Sequence, residues 1–368
     1  MEKAYKFRIY PNKTQENLIQ KTFGCVRFVY NHFLDKRIKA YEADKTTLTY
    51  SKCSGELTKL KQEFVWLKEP DKCSLQNALK NLDTAYQNFF KRTEAGYPKF
   101  KSKKNRHRSY KTNCTNNNIA FTGSRIKLPK IGKVKIRDKQ IPQGRIINAT
   151  ISQTPSGKYY VSLCCTDVEK PLFVRTDKYV GIDLGIKDFA ITSDGDKYSN
   201  HKYLKQSLIK LAKLQRELSR KTKDGSNRDK ARIKIARLQE KIANQRKDNL
   251  NKLSTKLVKE YDVICLEDLR VKNMVKNHKL AQSISDVSWT EFVRQLSYKA
   301  EWYGKELVKI DKFFPSSQTC HVCGYINKDT KNLSVRRWIC PNCKAEHDRD
   351  INASINILNE GLKILKIV

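Results

Sequence analysis

Acidic residues are scarce in this 368-residue chain: 38 Asp and Glu stand against 75 Lys and Arg, a formal net charge of +37. That surplus far exceeds the net charge of about 2–8 suited to a small soluble domain. Self-repulsion at this level is a cost unless a polyanion offsets it, and nucleic acid is the polyanion it fits. Long apolar runs are missing too. No stretch of about 18 apolar residues occurs, which excludes a membrane-spanning helix. The N-terminal MEKAYKFRIYPNK lacks the pattern of a secretory signal. A soluble intracellular protein is therefore expected, and disulfides are not. Seven of the eleven cysteines (Cys25, Cys53, Cys73, Cys114, Cys164, Cys165 and Cys265) share no spacing and read as small buried apolar residues. Internal repeats and a disordered tail are also lacking. What remains is a hydrophobic content of 39%, low but globular, over a length that supports two or three domains and a sizeable core.

KAYKFRIYP alternates and ends in a proline turn, so it predicts a strand. From Lys13 the period becomes helical: Leu18, Phe23, Val26, Val29, Tyr30 and Phe33 recur at helical intervals behind Thr14 as N-cap. CSLQNALKNLDTAYQNFFKR predicts a further helix with Ser74 as cap. Gly96, Pro98 and a basic run then break the pattern. Alternating segments around Gly and Pro turns follow, including IAFTGSRIKLPKIGKVKIR and a hairpin around TPSG. A small β-barrel interrupted by a helical insertion fits this order. YVGIDLGIKDFAITSDGDKY predicts two strands and a turn. Leu204, Leu208, Leu211, Leu214 and Leu218 then stripe one helix, and Ile233, Ile235, Leu238 and Ile242 a returning one. Lys and Arg crowd the other face of this hairpin, either as a solvated surface or as a nucleic-acid contact. YDVICLEDL and ELVKID predict strands flanking a helix from Thr290 to Tyr303, so the C-terminal half reads as an α/β sheet.

Two constellations carry chemistry. Cys320 and Cys323 form one C-x2-C and Cys340 and Cys343 another, 16 residues apart. That gap matches the zinc pattern, and four thiolates close a tetrahedral structural shell. A redox dithiol is the alternative. His321 and His347 lie nearby but are not needed as ligands. The second constellation is acidic. Asp183 interrupts the apolar strand VGIDLG and Glu267 ends DVICLE, while Asp348 and Asp350 precede the C-terminal helix in HDRDINASINIL. Buried-strand carboxylates are costly unless paired or metal-bound. Taken singly each could be a salt bridge or a cap. Three that converge suit Mg²⁺, and two such ions clamp both oxygens of a phosphodiester displacement.

With these motifs in hand, the chain resembles the TnpB proteins of insertion sequences, relatives of the type V CRISPR effector nucleases. YKFRIYPNKTQ, GCVRFVYNHFL, QNALKNLDTAYQNFFKR, GYPKFKSK, VGIDLGIKDFA, ICLEDL, FFPSSQTCHVCG, WICPNC and HDRDINASINIL carry the likeness over essentially the whole length. The resemblance implies an RNA-guided DNA endonuclease with a RuvC-like, RNase H-type catalytic domain. The family's catalytic acids fall on Asp183, Glu267 and Asp350, holding Mg²⁺, with two ions expected. Asp348 is the lesser candidate, with a helix N-terminal acid as its plain alternative. One Zn²⁺ falls on the four cysteines. Lys72 and Gln76, four residues apart on one helical face, and Tyr50 fall where the family reads a short motif beside the target. Ordinary surface residues are the alternative there. Arg349 is expected near the scissile phosphate.

The implied architecture is multidomain α+β. A wedge β-barrel spans residues 1–12 and 106–172, around a helical recognition domain at 13–105. A RuvC-like nuclease domain spans 173–319 and 346–368, around a zinc-ribbon insert at 320–345. Implied partners are a guide RNA from the transposon end and double-stranded target DNA. No membrane is implied. The expected state is a monomer with RNA in a prokaryotic cytoplasm, associated with the nucleoid. Two other functions remain compatible with the same acids: a DNA strand-transfer transposase and a guided DNA-binding repressor that does not cut.

Overall fold

A computed structural model describes residues 1–137, 141–332 and 334–366. Residues 138–140, 333 and 367–368, which fall within the spans expected for wedge, ribbon and C-terminal helix, lie outside the described residues. The chain forms two compact units that divide between Glu169 and Lys170.

In the first unit, β1 (Lys3–Tyr10) buries Tyr5, Phe7 and Ile9 and turns Lys6 outward, the period-two pattern of a half-buried strand. Three helices follow: α1 (Lys13–Asp44), α2 (Tyr50–Glu63) and α3 (Lys72–Lys91). Thr14 is not the cap of α1. Asn12 is, in a reciprocal capping box with Gln15. Nor does Ser74 cap α3: the helix starts at Lys72 behind Asp71, and the Ser74 hydroxyl donates back to the Asp71 carbonyl at 2.6 Å. Strands β2 (Arg108–Asn113), β3 (Ala120–Thr122), β4 (Arg125–Leu128), β5 (Gly132–Ile136), β6 (Arg145–Gln153) and β7 (Tyr159–Thr166) complete the unit. With β1 they form a seven-stranded antiparallel sheet in the order β2-β6-β7-β1-β5-β4-β3. Where a barrel is expected, the sheet has β2 and β3 as its edges, and no pairing joins those edges among the described residues. Helices and sheet share one core, with Phe33 and Leu34 of α1 and Leu79 and Leu82 of α3 in the same cluster as Phe7, Ile151 and Val161.

The second unit opens with β8 (Tyr179–Asp183), β9 (Asp188–Thr192) and β10 (Lys197–Ser199). Helices α4 (Tyr203–Ser219) and α5 (Ser226–Glu260) then pack as a hairpin. Strand β11 (Val263–Glu267), α6 (Val271–Met274), α7 (Ala281–Val287), α8 (Trp289–Tyr303) and β12 (Glu306–Ile310) follow. A two-stranded ribbon of β13 (Arg337–Ile339) and β14 (Glu346–Asp348) leads without a linker into α9 (Arg349–Ile364). The main sheet runs β10-β9-β8-β11-β12, with β8, β11 and β12 parallel.

Pleat parity decides what each face of this sheet does. Val180, Ile182, Ile264 and Leu266 point to one side and pack with Leu253 and Leu257 of α5 and Phe292 and Leu296 of α8. Val263 and Cys265 point to the other and pack with Ile357 and Leu362 of α9. Gly181 shares that second face. A Cβ there would run into the Ser354 carbonyl oxygen and the Leu358 backbone, so only glycine lets α9 lie this close to β8. Gly361 does the same from the helix side, against the Cys265 thiol.

Candidate active site

The same parity places the acids. Gly181 faces Cys265 and Ile182 faces Leu266 across the parallel ladder. Asp183 and Glu267 therefore come one step later, side by side at the carboxyl ends of adjacent strands. Both share the α9 face, at the end of a parallel sheet where α/β folds gather ligand groups. Asp183 is the last residue of β8 rather than lying mid-strand as its flanking sequence suggests. On α9, Asp350, Ser354 and Leu358 follow at i, i+4 and i+8, one stripe, and the last two of these meet Gly181. Asp350 in the first turn thus completes a set of three.

Electrostatics agrees with the geometry. Burial, then the nearby Glu267 and Asp350 carboxylates, push the Asp183 carboxyl up to about 7. Burial also raises Glu267, although the Ser316 hydroxyl donates to its Oε1 at 2.6 Å. Asp350 Oδ2 sits 3.3 Å from Arg336 Nη1. Asp348 has a different place. Its Oδ1 accepts from the backbone N–H groups of Asp350 and Ile351 as the N-cap of α9, and its Oδ2 pairs with Lys197 at 2.8 Å. Burial opposes ionisation there, but Lys197 and the capping donors hold the carboxyl below its usual range.

Arg349 lies close enough to the acids for its positive charge to favour the ionised form of Asp183, against the burial and carboxylate repulsion that raise it. The Arg349 side chain is buried, with Nη1 donating to the Asn332 carbonyl at 3.0 Å. The reason is its position at the start of α9 against the ribbon, where its N–H also donates to the Arg336 carbonyl. A second, half-exposed guanidinium, that of Arg336, pairs with Asp350.

The four cysteines form the compact metal-donor cluster among the described residues, with all Sγ atoms within 4.8 Å of one another. Cys320 and Cys343 are 3.6 Å apart, as are Cys323 and Cys340. A tetrahedron with Zn–S bonds of about 2.3 Å has edges of roughly 3.8 Å, so the donor set fits Zn²⁺. Each pair rides an equivalent knuckle. Cys320 O accepts from Gly324 N and Cys320 N donates to Tyr325 O; Cys340 repeats this with Lys344 and Ala345. Gly324 and Lys344 both take a left-handed φ, 76° and 62°. His347 is no member of the cluster: its Nε2 lies 3.1 Å from Cys320 Sγ, an outer contact.

Sequence reasoning missed Asn352 and Asn356, both buried one helical turn apart on α9. Asn352 Nδ2 donates to Thr319 O at 2.8 Å and its Oδ1 accepts from His321 N at 3.1 Å. Asn356 Nδ2 donates to Ser316 O and Thr319 O at 2.8 and 2.6 Å. The helix that carries Asp350 thereby grips the loop that carries Ser316 and Cys320. Two asparagines spaced four apart beside catalytic-type acids were the available signal.

In the first unit, Lys72, Gln76 and Lys80 form an exposed i, i+4, i+8 stripe on α3. Tyr50 is half-buried at the start of α2, with Lys80 Nζ 5.8 Å from its ring centroid.

Known families match in three places. A model described as "Probable transposase" matches residues 162–278, one described as "Cas12f1-like, TNB domain" matches 289–357, and a "Helix-turn-helix domain" matches 1–46. A "Putative RNA-guided DNA endonuclease" of Streptomyces pristinaespiralis is 41% identical over 98% of this chain and 90% of its own length. The chain belongs to the TnpB family. A second relative, "Putative RNA-guided DNA endonuclease InsQ" of Escherichia coli K12, is 34% identical over 98% of this chain and 93% of its own. The solved structure titled "Cryo-EM structure of the Cas12f1-sgRNA-target DNA complex" is 16% identical with a TM-score of 0.38, over 98% of this chain and 99% of that one. In this TnpB-family chain the first match contains Asp183 and Glu267, and the second contains the four cysteines and Asp350. The third match covers β1 and one uninterrupted 32-residue helix, not two helices joined by a turn.

A carboxyl raised from 3.8 to about 7 in the folded state binds its proton there more tightly than in the unfolded chain. Its contribution to stability is fully present below pH ~4 and is lost as pH rises through about 7. With divalent metal chelated, thermal stability should fall across that window, and Asp183→Asn should flatten the fall. An unchanged pH profile in the variant would show that Asp183 is not strained by its neighbours.

Proposed function

We propose that this chain is a metal-dependent, RNA-guided DNA endonuclease encoded by a transposon. The observation that carries the proposal is the convergence of Asp183, Glu267 and Asp350 on one face of the sheet in a chain of net charge +37. Membership in a family whose curated relatives bear the endonuclease name supports it. Burial and the neighbouring Glu267 and Asp350 carboxylates raise Asp183, so the three lie close together, and their oxygen donors fit Mg²⁺. Bound divalent cations would activate water and stabilise the leaving oxygen of a phosphodiester. Asp183 and Glu267 bind from rigid strand ends, Asp350 from the first turn of α9, and Ser316 orients Glu267. Asp348 keeps the helix start in place. Arg349, whose charge acts on Asp183, stands near the scissile phosphate, and Arg336, released from Asp350, supplies a second cation for it.

In this proposal the nuclease unit is RuvC-like with a zinc-ribbon insert. The guide pairs with the target and supplies sequence specificity, while Lys72, Gln76 and Tyr50 read the adjacent motif. The intact acid set favours cutting over a guided repressor.

Asp183→Ala, Glu267→Ala and Asp350→Ala should each lower plasmid cleavage by at least about a hundredfold, because each removes a metal ligand, while guided binding persists. Asp348→Ala should retain measurable cleavage. Full activity in Asp350→Ala with loss in Asp348→Ala would reverse the two assignments.

Freshly purified protein should carry one Zn²⁺ per chain, and Cys320→Ser should lose it and disorder the knuckles, since binding supplies much of the folding energy of so small a site. Active wild-type protein free of zinc would contradict the metal assignment.

A further inference from the structure

An aromatic cavity of about 780 Å³ opens in the first unit, and of its lining only Tyr50 has been given a role above. That volume falls within the range of about 300–1,000 Å³ of small-ligand sites. Six rings line it: Tyr41 from α1, Tyr50 from α2, Tyr86, Phe89 and Phe90 from α3, and Tyr97. Tyr41, Phe90 and Tyr97 are 55%, 76% and 45% exposed, so these rings are held at the surface rather than in the core. Tyr86 and Tyr97 brace each other through their hydroxyls at 3.0 Å.

Cations sit on these same rings. Lys45 Nζ is 5.0 Å from the Tyr41 centroid, Lys80 Nζ 5.8 Å from that of Tyr50, and the Arg37 guanidinium carbon 5.2 Å from that of Tyr86. Asp83, the acid among the lining residues, is neutralised by Arg37 at 3.1 Å and also accepts from Gln87. Arg37 is itself more than nine-tenths buried, and its Nε has no hydrogen-bond partner among the described residues.

We propose that this cavity binds unpaired nucleobases of a single-stranded nucleic acid. Flat ligands stack on exposed rings, and the lysines at the rim attract the phosphates that link them. An apolar peptide would answer the rings but not the cations. Lys72 and Gln76 do not line the cavity; on α3 its lining begins at Asp83, seven residues or about 10 Å beyond Gln76. Of the residues expected at the adjacent motif, Tyr50 alone lines it.

The test uses the full-length protein and a 5-bromouracil-substituted dodecamer, as single-stranded RNA, as single-stranded DNA, and as a duplex. Photo-cross-links to Tyr41, Phe90 or Tyr97 with either single strand, absent with the duplex, are expected, and the two single-strand arms identify the sugar. Phe90→Ala combined with Tyr97→Ala should weaken single-strand binding about five- to a hundredfold, the range expected for losing base stacking. Phe90→Tyr with Tyr97→Phe keeps the rings and should restore binding, which separates a stacking role from a folding defect. The cleavage-dead Asp183→Ala protein should cross-link as wild type does, so the proposal stands or falls apart from the nuclease assignment. Cross-links confined to other surfaces, equal loss for duplex and single strand, unchanged affinity in the ring-deleted variant, or a protein segment occupying the cavity would each overturn it.

Discussion

The close approach of α9 to β8 is the constraint on which the second unit turns. Gly181 has no side chain, so the helix backbone at Ser354 and Leu358 can rest on the strand. Gly361 allows the same contact against Cys265. With the helix at this height and register, its first turn lies over the strand ends, and Asp350 joins Asp183 and Glu267. The motif G-x-D therefore carries two requirements at once, one steric at Gly181 and one chemical at Asp183.

The helix also organises what surrounds the acids. Asn352 and Asn356 hold the segment from Ser316 to His321, and that segment delivers both the hydroxyl on Glu267 and the first cysteine of the knuckles. Ribbon strand β14 ends at Asp348, which is simultaneously the cap of α9. A disturbance at the cysteines thus has a short covalent and hydrogen-bonded route to the carboxylates. Acids are few in this chain, and Asp183 is placed where Glu267 and Asp350 repel it, whereas Asp348 is paired with Lys197 and Asp83 with Arg37.

Much of this was legible in the sequence, for identifiable reasons. The strands around Asp183 and Glu267 are short apolar runs ending in a carboxylate, and pleat parity converts that into a shared face. The cysteine spacing encodes the knuckles because each pair needs only local turns. Less legible were features set by tertiary contact. Asn12 outcompetes Thr14 as a cap because Gln15 can close the box. Arg349 turns inward because the Asn332 carbonyl, 17 residues earlier, accepts from its guanidinium, and Arg336 pairs with Asp350. The helices of residues 13–91 read as a separate domain, yet they share a core with the antiparallel sheet, because their apolar stripes face strands that come later in sequence. The asparagine pair shows its spacing in the sequence, but its role depends on the loop carbonyls of Ser316 and Thr319.

The central claim is that Asp183, Glu267 and Asp350 form one cation site. Anomalous diffraction at the manganese edge, from crystals of the full-length protein grown with Mn²⁺ in place of Mg²⁺, tests it most directly. The account predicts an anomalous peak bounded by carboxylate oxygens of all three residues, and its loss in Asp183→Asn crystals. A peak that is held by Asp348 and Lys197's neighbours instead, or one that persists unchanged in the variant, would contradict it.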